Sequence, residues 1–474
     1  MNPIKQLTSV LLVCLATWSA DGEMLPNMVF LMTDDQGWGD VGYNGHPKIK
    51  TPHLDDMAKS GLRFDRFYAG GPVCSPTRAS VLTGRTHDRT GVFDHGYALR
   101  TQEKTLPQAL KDAGYATGHF GKWHLNGLRG PGVPILSNYP NGPKDFGFEK
   151  WLSVSNFFDL NPLMSRQGKF VEFRGDSSEI IVEEALRFME AQKSSGKPFF
   201  TVIWYGTPHS PWMALDKDAE PFTELPQSSQ AHYAELRAMD RSIGTLRSGL
   251  RKMKLEQETL VWFTSDNGGL PKTTPTTTGG LRDFKGSMYE GGIRVPAIVE
   301  WPQKINKFRV SSYPAGAVDI FPTLAEIAGL PAQSMLDPVD GESLLPLFEK
   351  ELKTRSKPLI FSSRGRMAVI DNQWKFLSQP QGDGRKLEMF DLSKDLSEST
   401  NLFRPNHPRA KKLRTVLLES RQSISDSVDG LDYPEKKVGK QPPRIFWTQI
   451  PEYEKYFKAW KARPEYQGRL KNLK

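Results

Sequence analysis

Met28-Val29-Phe30-Leu31-Met32-Thr33-Asp34-Asp35 is an unbroken apolar run that ends in two adjacent acids. A run without polar alternation is expected of a strand buried on both faces, as in a parallel sheet covered by helices. Two carboxylates at its exit must be solvated, paired or bound to a cation, because an isolated buried carboxylate is too costly. Phe199-Phe200-Thr201-Val202-Ile203-Trp204-Tyr205 and Thr259-Leu260-Val261-Trp262-Phe263-Thr264-Ser265 repeat the pattern. The first delivers Thr207-Pro208-His209-Ser210-Pro211 and the second Asp266-Asn267-Gly268-Gly269. Between these strands, Asp176 and Glu179 open a helix to about Ala191 with Ile181, Ala185 and Phe188 on one stripe. Tyr233, Leu236, Ile243, Leu246 and Leu250 trace a long amphipathic helix. Strands separated by helices and ending in polar chemistry describe an α/β fold: a large mixed, mostly parallel sheet sandwiched by helices, with its site at the carboxyl edge.

Working outward, Gly37, Gly39, Gly42 and Gly45 mark a loop, and Thr51 to Ala58 reads as a capped helix ended by Gly61. His53 in that helix is a cap-region or packing residue and stays outside the site. Next comes Gly71-Pro72-Val73-Cys74-Ser75-Pro76-Thr77-Arg78-Ala79-Ser80-Val81-Leu82-Thr83-Gly84. Ser75 can cap a helix, Pro76 suits its first turn and Gly84 stops it, which puts Cys74 at a helix N-terminus with Arg78 one turn on. Free amides and the positive end of the dipole favour an anion there. A helix from Thr105 to Ala113 leads into Tyr115-Ala116-Thr117-Gly118-His119-Phe120-Gly121-Lys122-Trp123-His124. If this segment is extended, a period of two places Lys122 and His124 on one face and Trp123 on the other.

After a Gly/Thr-rich loop from Leu270 to Gly280 come Lys285-Gly286-Ser287-Met288-Tyr289-Glu290-Gly291-Gly292, a strand from Ile293 to Val299 and a helix from Pro314 to Gly329. The composition turns polar around Lys353 to Pro358. Short strands at Leu359, Met367, Trp374 and Glu388 then predict a smaller antiparallel sheet. The expected layout is a signal peptide over 1–20, a site-bearing domain over 24–355, a C-terminal α+β subdomain over 356–433 and a basic, aromatic-rich tail over 434–474.

With 474 residues, 38% hydrophobic and 11% aromatic, the chain can bury a sizeable core, and its composition excludes disorder. Lys5, the apolar run Leu11-Leu12-Val13-Cys14-Leu15-Ala16 and small residues at Thr17, Ser19 and Ala20 predict a cleaved secretion signal, and so a periplasmic or secreted protein. The run is too short to span a membrane, and no later stretch is apolar enough for stable insertion. Cys14 and Cys74 are the only cysteines, so removal of the signal leaves one thiol and no disulfide. That thiol either does chemistry or is well buried. The formal charge of +9 is unevenly spread, with Lys436, Lys437, Lys440, Arg444, Lys455 and Lys458 among the cations that dominate the tail. A basic tail suggests a polyanion nearby, and export argues against nucleic acid. Trp447, Tyr453, Trp460 and Tyr466 could stack on sugars or pack a helix on the main domain; packing is the plainer reading.

Asp34, Asp35, Asp266 and Asn267 form an all-oxygen set suited to a hard divalent cation. Helix capping could explain one acidic pair but not two at two strand ends. Arg78, Lys122, His124, His209 and Lys285 are cations and proton carriers of the sort that hold a tetrahedral anion and protonate a leaving group. Each of them singly is as readily a surface or core residue.

The ensemble resembles the type I sulfatases of the alkaline phosphatase superfamily. Cys74-Ser75-Pro76-Thr77-Arg78 is similar to the signature whose cysteine is oxidised to formylglycine, Leu31 to Asp40 to the metal-binding opening, and Gly114 to His124 to the second signature. Phe120 stands there where a smaller residue is usual. His209-x-Pro211, Asp266-Asn267-Gly268 and Lys285 follow in the family's order. The resemblance implies an alkaline phosphatase-like fold and hydrolysis of a sulfate monoester. It further implies Ca²⁺ or Mg²⁺ on Asp34, Asp35, Asp266 and Asn267 together with residue 74, matured to formylglycine by a formylglycine-generating enzyme. Arg78 and Lys122 would settle the modified side chain and His124 would assist its turnover. His209 and Lys285 would bind sulfate, His209 protonating the departing alcohol. Export, the tail and aromatic loops favour a sulfated carbohydrate, which Asn156, Trp212 and Arg282 are placed to contact. Two rivals stand beside this: a phosphate or phosphonate monoester hydrolase of the same superfamily, and a non-catalytic binder of sulfated glycans. A two-metal phosphatase wants more His and Asp ligands than can be placed, and the intact Cys74, Arg78 and acidic set speak against a pure binder.

Overall fold

In the computed structural model, which describes residues 25–471, the strand Asn27–Thr33 is buried along its whole length. The expected signal peptide and Cys14 lie outside the described residues. Side chains of the strand alternate between two cores: Met28, Phe30 and Met32 enter one, Val29 and Leu31 the other. The first core takes Val81 and Leu82 from the helix Cys74–Thr83 and Leu106 and Leu110 from Leu106–Asp112. The second takes Ile181 and Met189 from Ser177–Ser195 and Tyr233, Leu236 and Ile243 from Gln227–Lys252. The sheet is therefore the middle of three layers.

Eleven strands make that sheet. Its order runs Arg309–Ser311, Leu62–Tyr68, Arg294–Glu300, Thr259–Ser265, Asn27–Thr33, Phe199–Trp204, Ala116–Lys122, Lys150–Val154, Leu163–Arg166, Lys169–Glu172, with Ala315–Gly316 beside Leu62–Tyr68. The four strands from Thr259–Ser265 to Ala116–Lys122 are neighbours and all parallel. Antiparallel pairings enter only beyond them, at Arg294–Glu300 and at Leu163–Arg166. A mixed sheet with a parallel centre is what the unbroken apolar runs predict.

Two local expectations fail. The helix begins at Cys74 with extended Val73 before it, so Ser75 lies inside the first turn and does not cap. Its hydroxyl instead donates to the His124 carbonyl (2.7 Å) and accepts from the Gly96 amide (2.7 Å). The period-two placement of Lys122 and His124 also fails, because the strand ends at Lys122 and His124 turns left-handed (φ 57°). By contrast, Asp176 caps Ser177–Ser195 by accepting from the Ser178 amide, and Gly84 (φ 69°) closes the Cys74 helix.

Leu359–Ser363, Arg366–Asp371, Trp374–Gln381 and Gly384–Asp391 form a second, antiparallel sheet in that order. One face packs Ala368, Ile370 and Phe390 against Tyr68, Met288 and Ile293 of the main body. The helix Pro408–Val428 covers the other through Leu413, Leu417 and Ile424. Ile445–Phe446 pairs with Leu128–Arg129, and Trp447, Tyr453, Trp460 and Tyr466 are buried with Leu128, Val133 and Leu136. The interleaved aromatics of the tail are thus core. No helix among the described residues is long and apolar enough to cross a membrane.

Trp447 is fully buried, edge-on to Tyr453, Phe457, Trp460 and Tyr466. Truncating such a side chain leaves a cavity, so Trp447→Ala is expected to cost about 3–5 kcal/mol, read as a lowered urea midpoint. An unchanged midpoint would show that the tail is not part of the cooperative fold.

Candidate active site

Because the four central strands are adjacent and parallel, their carboxyl ends open on one edge. Asp34 and Asp35 follow Asn27–Thr33, His209 follows Phe199–Trp204, Asp266 and Asn267 follow Thr259–Ser265, and Lys122 ends Ala116–Lys122. Gly121 before Lys122 has φ 112°, and a Cβ there would fall 1.9 Å from the Trp204 carbonyl oxygen, so the close strand pairing requires glycine. Phe120, the departure from the family pattern, is accommodated by packing on Phe188 of the helix Ser177–Ser195 (ring centroids 5.8 Å).

Cys74 is 2% exposed. Its Sγ lies 3.2 Å from Asp34 Oδ1 and 3.7 Å from Lys285 Nζ. Lys122 Nζ donates to Asp34 Oδ2 (2.5 Å), and Lys285 Nζ donates to Asp35 Oδ2 (2.8 Å). Arg78 donates through Nε (3.2 Å) and Nη2 (2.7 Å) to Asp266 Oδ2 and through Nη1 to the Lys122 carbonyl (3.1 Å), its guanidinium lying over the Trp204 ring. His209 stacks on Phe157 (4.6 Å, 9°), places Nδ1 2.5 Å from the Ser210 carbonyl and Nε2 3.7 Å from Asp35.

The donor set suits a cation. Asp34, Asp35, Cys74 and His209 each bring a ligand-type atom within 4.8 Å of the others. Asn267 donates its amide to Asp35 Oδ1 (2.8 Å), leaving its own Oδ1 buried without a partner. A buried acceptor in that state costs about 1–3 kcal/mol unless something positive meets it. Asp266, outside that group of four, accepts from the Asp35 amide at 3.2 Å through Oδ1. The residues present therefore fit a hard divalent ion on oxygen ligands.

Burial, then the neighbouring Asp34, pushes the Asp266 carboxyl up to about 7 against the pull of Arg78 and Lys122. Burial acts the same way on Asp35, but Lys285 and His209 outweigh it and hold the carboxyl well below the usual range. The Cys74 thiol is driven up by burial and by Asp34. Burial brings His209 down to about 3, opposed by Asp35 and reinforced by Lys285. His124 falls well below the ordinary imidazole value through burial, Lys122 and Arg78, and both its ring nitrogens are buried without partners.

Residues 26–330 match the family described as Sulfatase, and residues 280–424 match the one described as N-sulphoglucosamine sulphohydrolase, C-terminal. The chain belongs to the sulfatase family. It is 34% identical over 386 residues to N-acetylgalactosamine-6-sulfatase of Canis lupus familiaris, covering 74% of this chain and 71% of that one. Arylsulfatase A of Homo sapiens is 32% identical over 436 residues, covering 80% and 83%. Among solved structures, that of Ps i-CgsB in complex with k-i-k-neocarrahexaose superposes with a TM-score of 0.74 at 25% identity, over 95% of this chain and 100% of that one. The protein is thus a sulfuric ester hydrolase.

In this sulfatase the edge brings Asp34, Asp35, Cys74, Arg78, Lys122, His209, Asp266, Asn267 and Lys285 into one contact network, with His124 against it. The three residues expected to touch substrate each donate a hydrogen bond within the protein. Asn156 donates to the Gly130 carbonyl (2.7 Å), Trp212 to the Pro208 carbonyl (2.8 Å), and Arg282 to the Glu398 carbonyl (2.5 Å) while lying over the Tyr289 ring. Sequence reasoning missed His95, whose ring centroid is 6.5 Å from that of His124. Asp94-His95-Gly96 belongs to no periodic segment, and the contact that places it, Gly96 to Ser75, spans 21 residues. Phe157 was visible only as part of an aromatic loop.

A ligand that binds only the folded chain raises its stability by about 2.7 kcal/mol at a hundred times its Kd. Chelator-stripped sulfatase is therefore expected to gain melting temperature on addition of Ca²⁺ or Mg²⁺, and Asn267→Ala to lose most of that gain. Equal melting of stripped and refilled protein would contradict a metal at this edge.

Proposed function

We propose that this sulfatase hydrolyses a sulfate monoester on a carbohydrate, with residue 74 converted from Cys to formylglycine and a divalent cation held by Asp34, Asp35, Asp266 and Asn267. The observation that carries this reading is the place of Cys74. It starts a helix at the acidic edge of a sulfatase sheet, within 3.2 Å of Asp34 and 3.7 Å of Lys285, and it is the one free cysteine among the described residues. Support for a carbohydrate comes from the names of its relatives, an N-acetylgalactosamine-6-sulfatase and a structure that holds a neocarrahexaose. Maturation calls for a formylglycine-generating enzyme, and the reading places the protein in the periplasm or outside the cell.

The cation would supply charge neutralisation at sulfate, and the hydrated aldehyde two hydroxyls on one carbon, one to take sulfur and the other to release it. The chain's own side chains do the remainder. Lys285 is the least buried of the three cations that meet the acids, with its side chain 20% exposed, and its ammonium sits between Asp35 and residue 74, where an incoming sulfate oxygen is met. Lys122 and Arg78 are fully buried and hold Asp34 and Asp266 in place. His209 keeps Nδ1 on the Ser210 carbonyl, which directs its protonatable Nε2 into the site. Burial and Lys285 disfavour its charged form in the free protein, so as general acid it would take up its proton once the anionic ester lies beside it and pass that proton to the departing alcohol. His124, with both ring nitrogens free of hydrogen-bond partners, would assist turnover of the modified residue 74.

Two outcomes test these roles. Cys74→Ser keeps one oxygen nucleophile but lacks the geminal hydroxyl, so with an aryl sulfate it should release one equivalent of alcohol and gain the mass of one sulfo group. Sustained turnover without an adduct would exclude residue 74 as nucleophile, and preference of the matured wild type for phosphate over sulfate monoesters would favour the phosphohydrolase reading. His209→Ala should lose about 10²–10⁴-fold in kcat on alkyl sulfates and far less on nitrophenyl sulfate, whose leaving group needs no proton. Equal losses on both would remove His209 as the acid.

A further inference from the structure

A cavity of about 480 Å³ lies between the C-terminal sheet and the helix Pro408–Val428, on the hairpin that joins Leu359–Ser363 to Arg366–Asp371. Arg364, Arg366, Arg385, Arg414 and Arg421 line it with a single acid, Asp88. That acid is already engaged, Oδ1 lying 3.1 Å from His87 Nδ1 and Oδ2 accepting the Ser362 hydroxyl. Arg364 pairs with Asp94 at 2.9 Å. The other four arginines make no ion pair among the described residues. Arg366 donates only to Ser363, and Arg385 only to Ser378 and the Gly365 carbonyl. Arg414 and Arg421 are exposed, two turns apart on one side of the helix. The exposed apolar part of the lining is Leu418, 51% exposed, a surface that suits the C–H face of a sugar ring. Five guanidinium groups around a cavity whose acids are fewer and already engaged repel one another, and an anion accepting their paired N–H groups relieves that repulsion. Burial and Arg364 lower the proton affinity of Arg366 against the pull of Asp283 and Asp94.

The cavity is joined to the Cys74 site by a short chain of contacts. Arg364 holds Asp94, whose neighbour His95 faces His124, and Gly96 holds Ser75 beside Cys74. Arg444 closes the other side of His95, donating to its carbonyl (2.8 Å) and lying 3.2 Å from its Nε2. Arg129 lies over Phe446 with no ion pair among the described residues.

We infer that the arginine-lined cavity between the C-terminal sheet and the helix Pro408–Val428 binds a second anionic group, sulfate or carboxylate, of the same glycan whose sulfate ester enters the Cys74 site. This rests on the sulfated-carbohydrate reading above, and it makes the preferred substrate a polyanionic chain rather than a singly sulfated sugar.

The test uses the whole chain with Arg414→Ala and Arg421→Ala combined, and the charge-keeping pair Arg414→Lys with Arg421→Lys. Both positions are on the surface of one helix, and melting temperature verifies the fold. Affinity is measured for dextran sulfate, carboxymethyl dextran, plain dextran and duplex DNA at two salt concentrations, alongside turnover of a small aryl sulfate. The alanine pair should bind dextran sulfate about fivefold or more weakly, with a shallower salt dependence, and the lysine pair should fall between; aryl sulfate turnover should stay at the wild-type rate. A matching loss for carboxymethyl dextran assigns the site to either anion, and a loss for dextran sulfate alone assigns it to sulfate. Unchanged dextran sulfate binding by the alanine pair overturns the inference, as does wild-type binding of DNA as tight as that of dextran sulfate, which would mark plain charge attraction. Failure of the wild type to cleave the aryl ester would instead strike the proposed function and leave the binding result standing.

Discussion

Burying three carboxylates at one sheet edge is tolerable only where opposite charge is fixed beside them, since breaking one buried pair costs about 3–5 kcal/mol. Asp34, Asp35 and Asp266 meet Lys122, Lys285 and Arg78. Each cation comes from a different part of the chain: Arg78 from the Cys74 helix, Lys122 from a strand end, Lys285 from the loop after Thr259–Ser265. The acids and these cations are equal in number, so a divalent ion added on the Asn267 side leaves a positive excess. That excess is what an anionic sulfate ester requires of its site. Tolerance of the acids and attraction of the substrate are thus one electrostatic arrangement.

The same arrangement governs residue 74. As encoded, it is a thiol driven up by burial and by Asp34, and a thiol that does not ionise is a poor nucleophile. An oxygen nucleophile needs no thiolate, and the amide-rich helix start together with Lys285 suits the charge of a sulfate arriving there. Under the proposed function, conversion of Cys74 replaces that buried thiol with an oxygen nucleophile in the same place.

Much of this was legible in the sequence because the signals are local. Unbroken apolar runs mark strands buried on both faces, and a parallel centre then forces their polar exits, Asp34-Asp35, His209 and Asp266-Asn267, to one edge. What was illegible depends on partners far along the chain. Ser75 has the local look of a cap, but its hydroxyl bridges His124 and Gly96, residues with no sequence pattern to announce them. Arg282 sits three residues before Lys285 yet reaches Glu398 in the C-terminal part. The tail's aromatics have the same spacing whether they stack on sugars or fill a core, and only the position of Leu128 and Val133 beneath them decides it.

The main and C-terminal sheets share a buried ionic cluster. Lys375, fully buried in the C-terminal sheet, meets Glu290 at 3.0 Å and Glu398 at 2.8 Å, while Tyr68 of the main sheet donates to Glu290 at 3.0 Å. Burial and Glu290 push Glu398 up to about 7 against Lys375, so the cluster is held by geometry as much as by charge. A buried pair of this kind is weak evidence for stability, and its use lies in fixing one arrangement over others. Here that arrangement ties the segment carrying Lys285, five residues before Glu290, to the sheet whose hairpin bears Arg364 and Arg366. Through Lys375, Glu290 and Tyr68 the C-terminal sheet and the main sheet are thus joined by one buried cluster, five residues along the chain from Lys285.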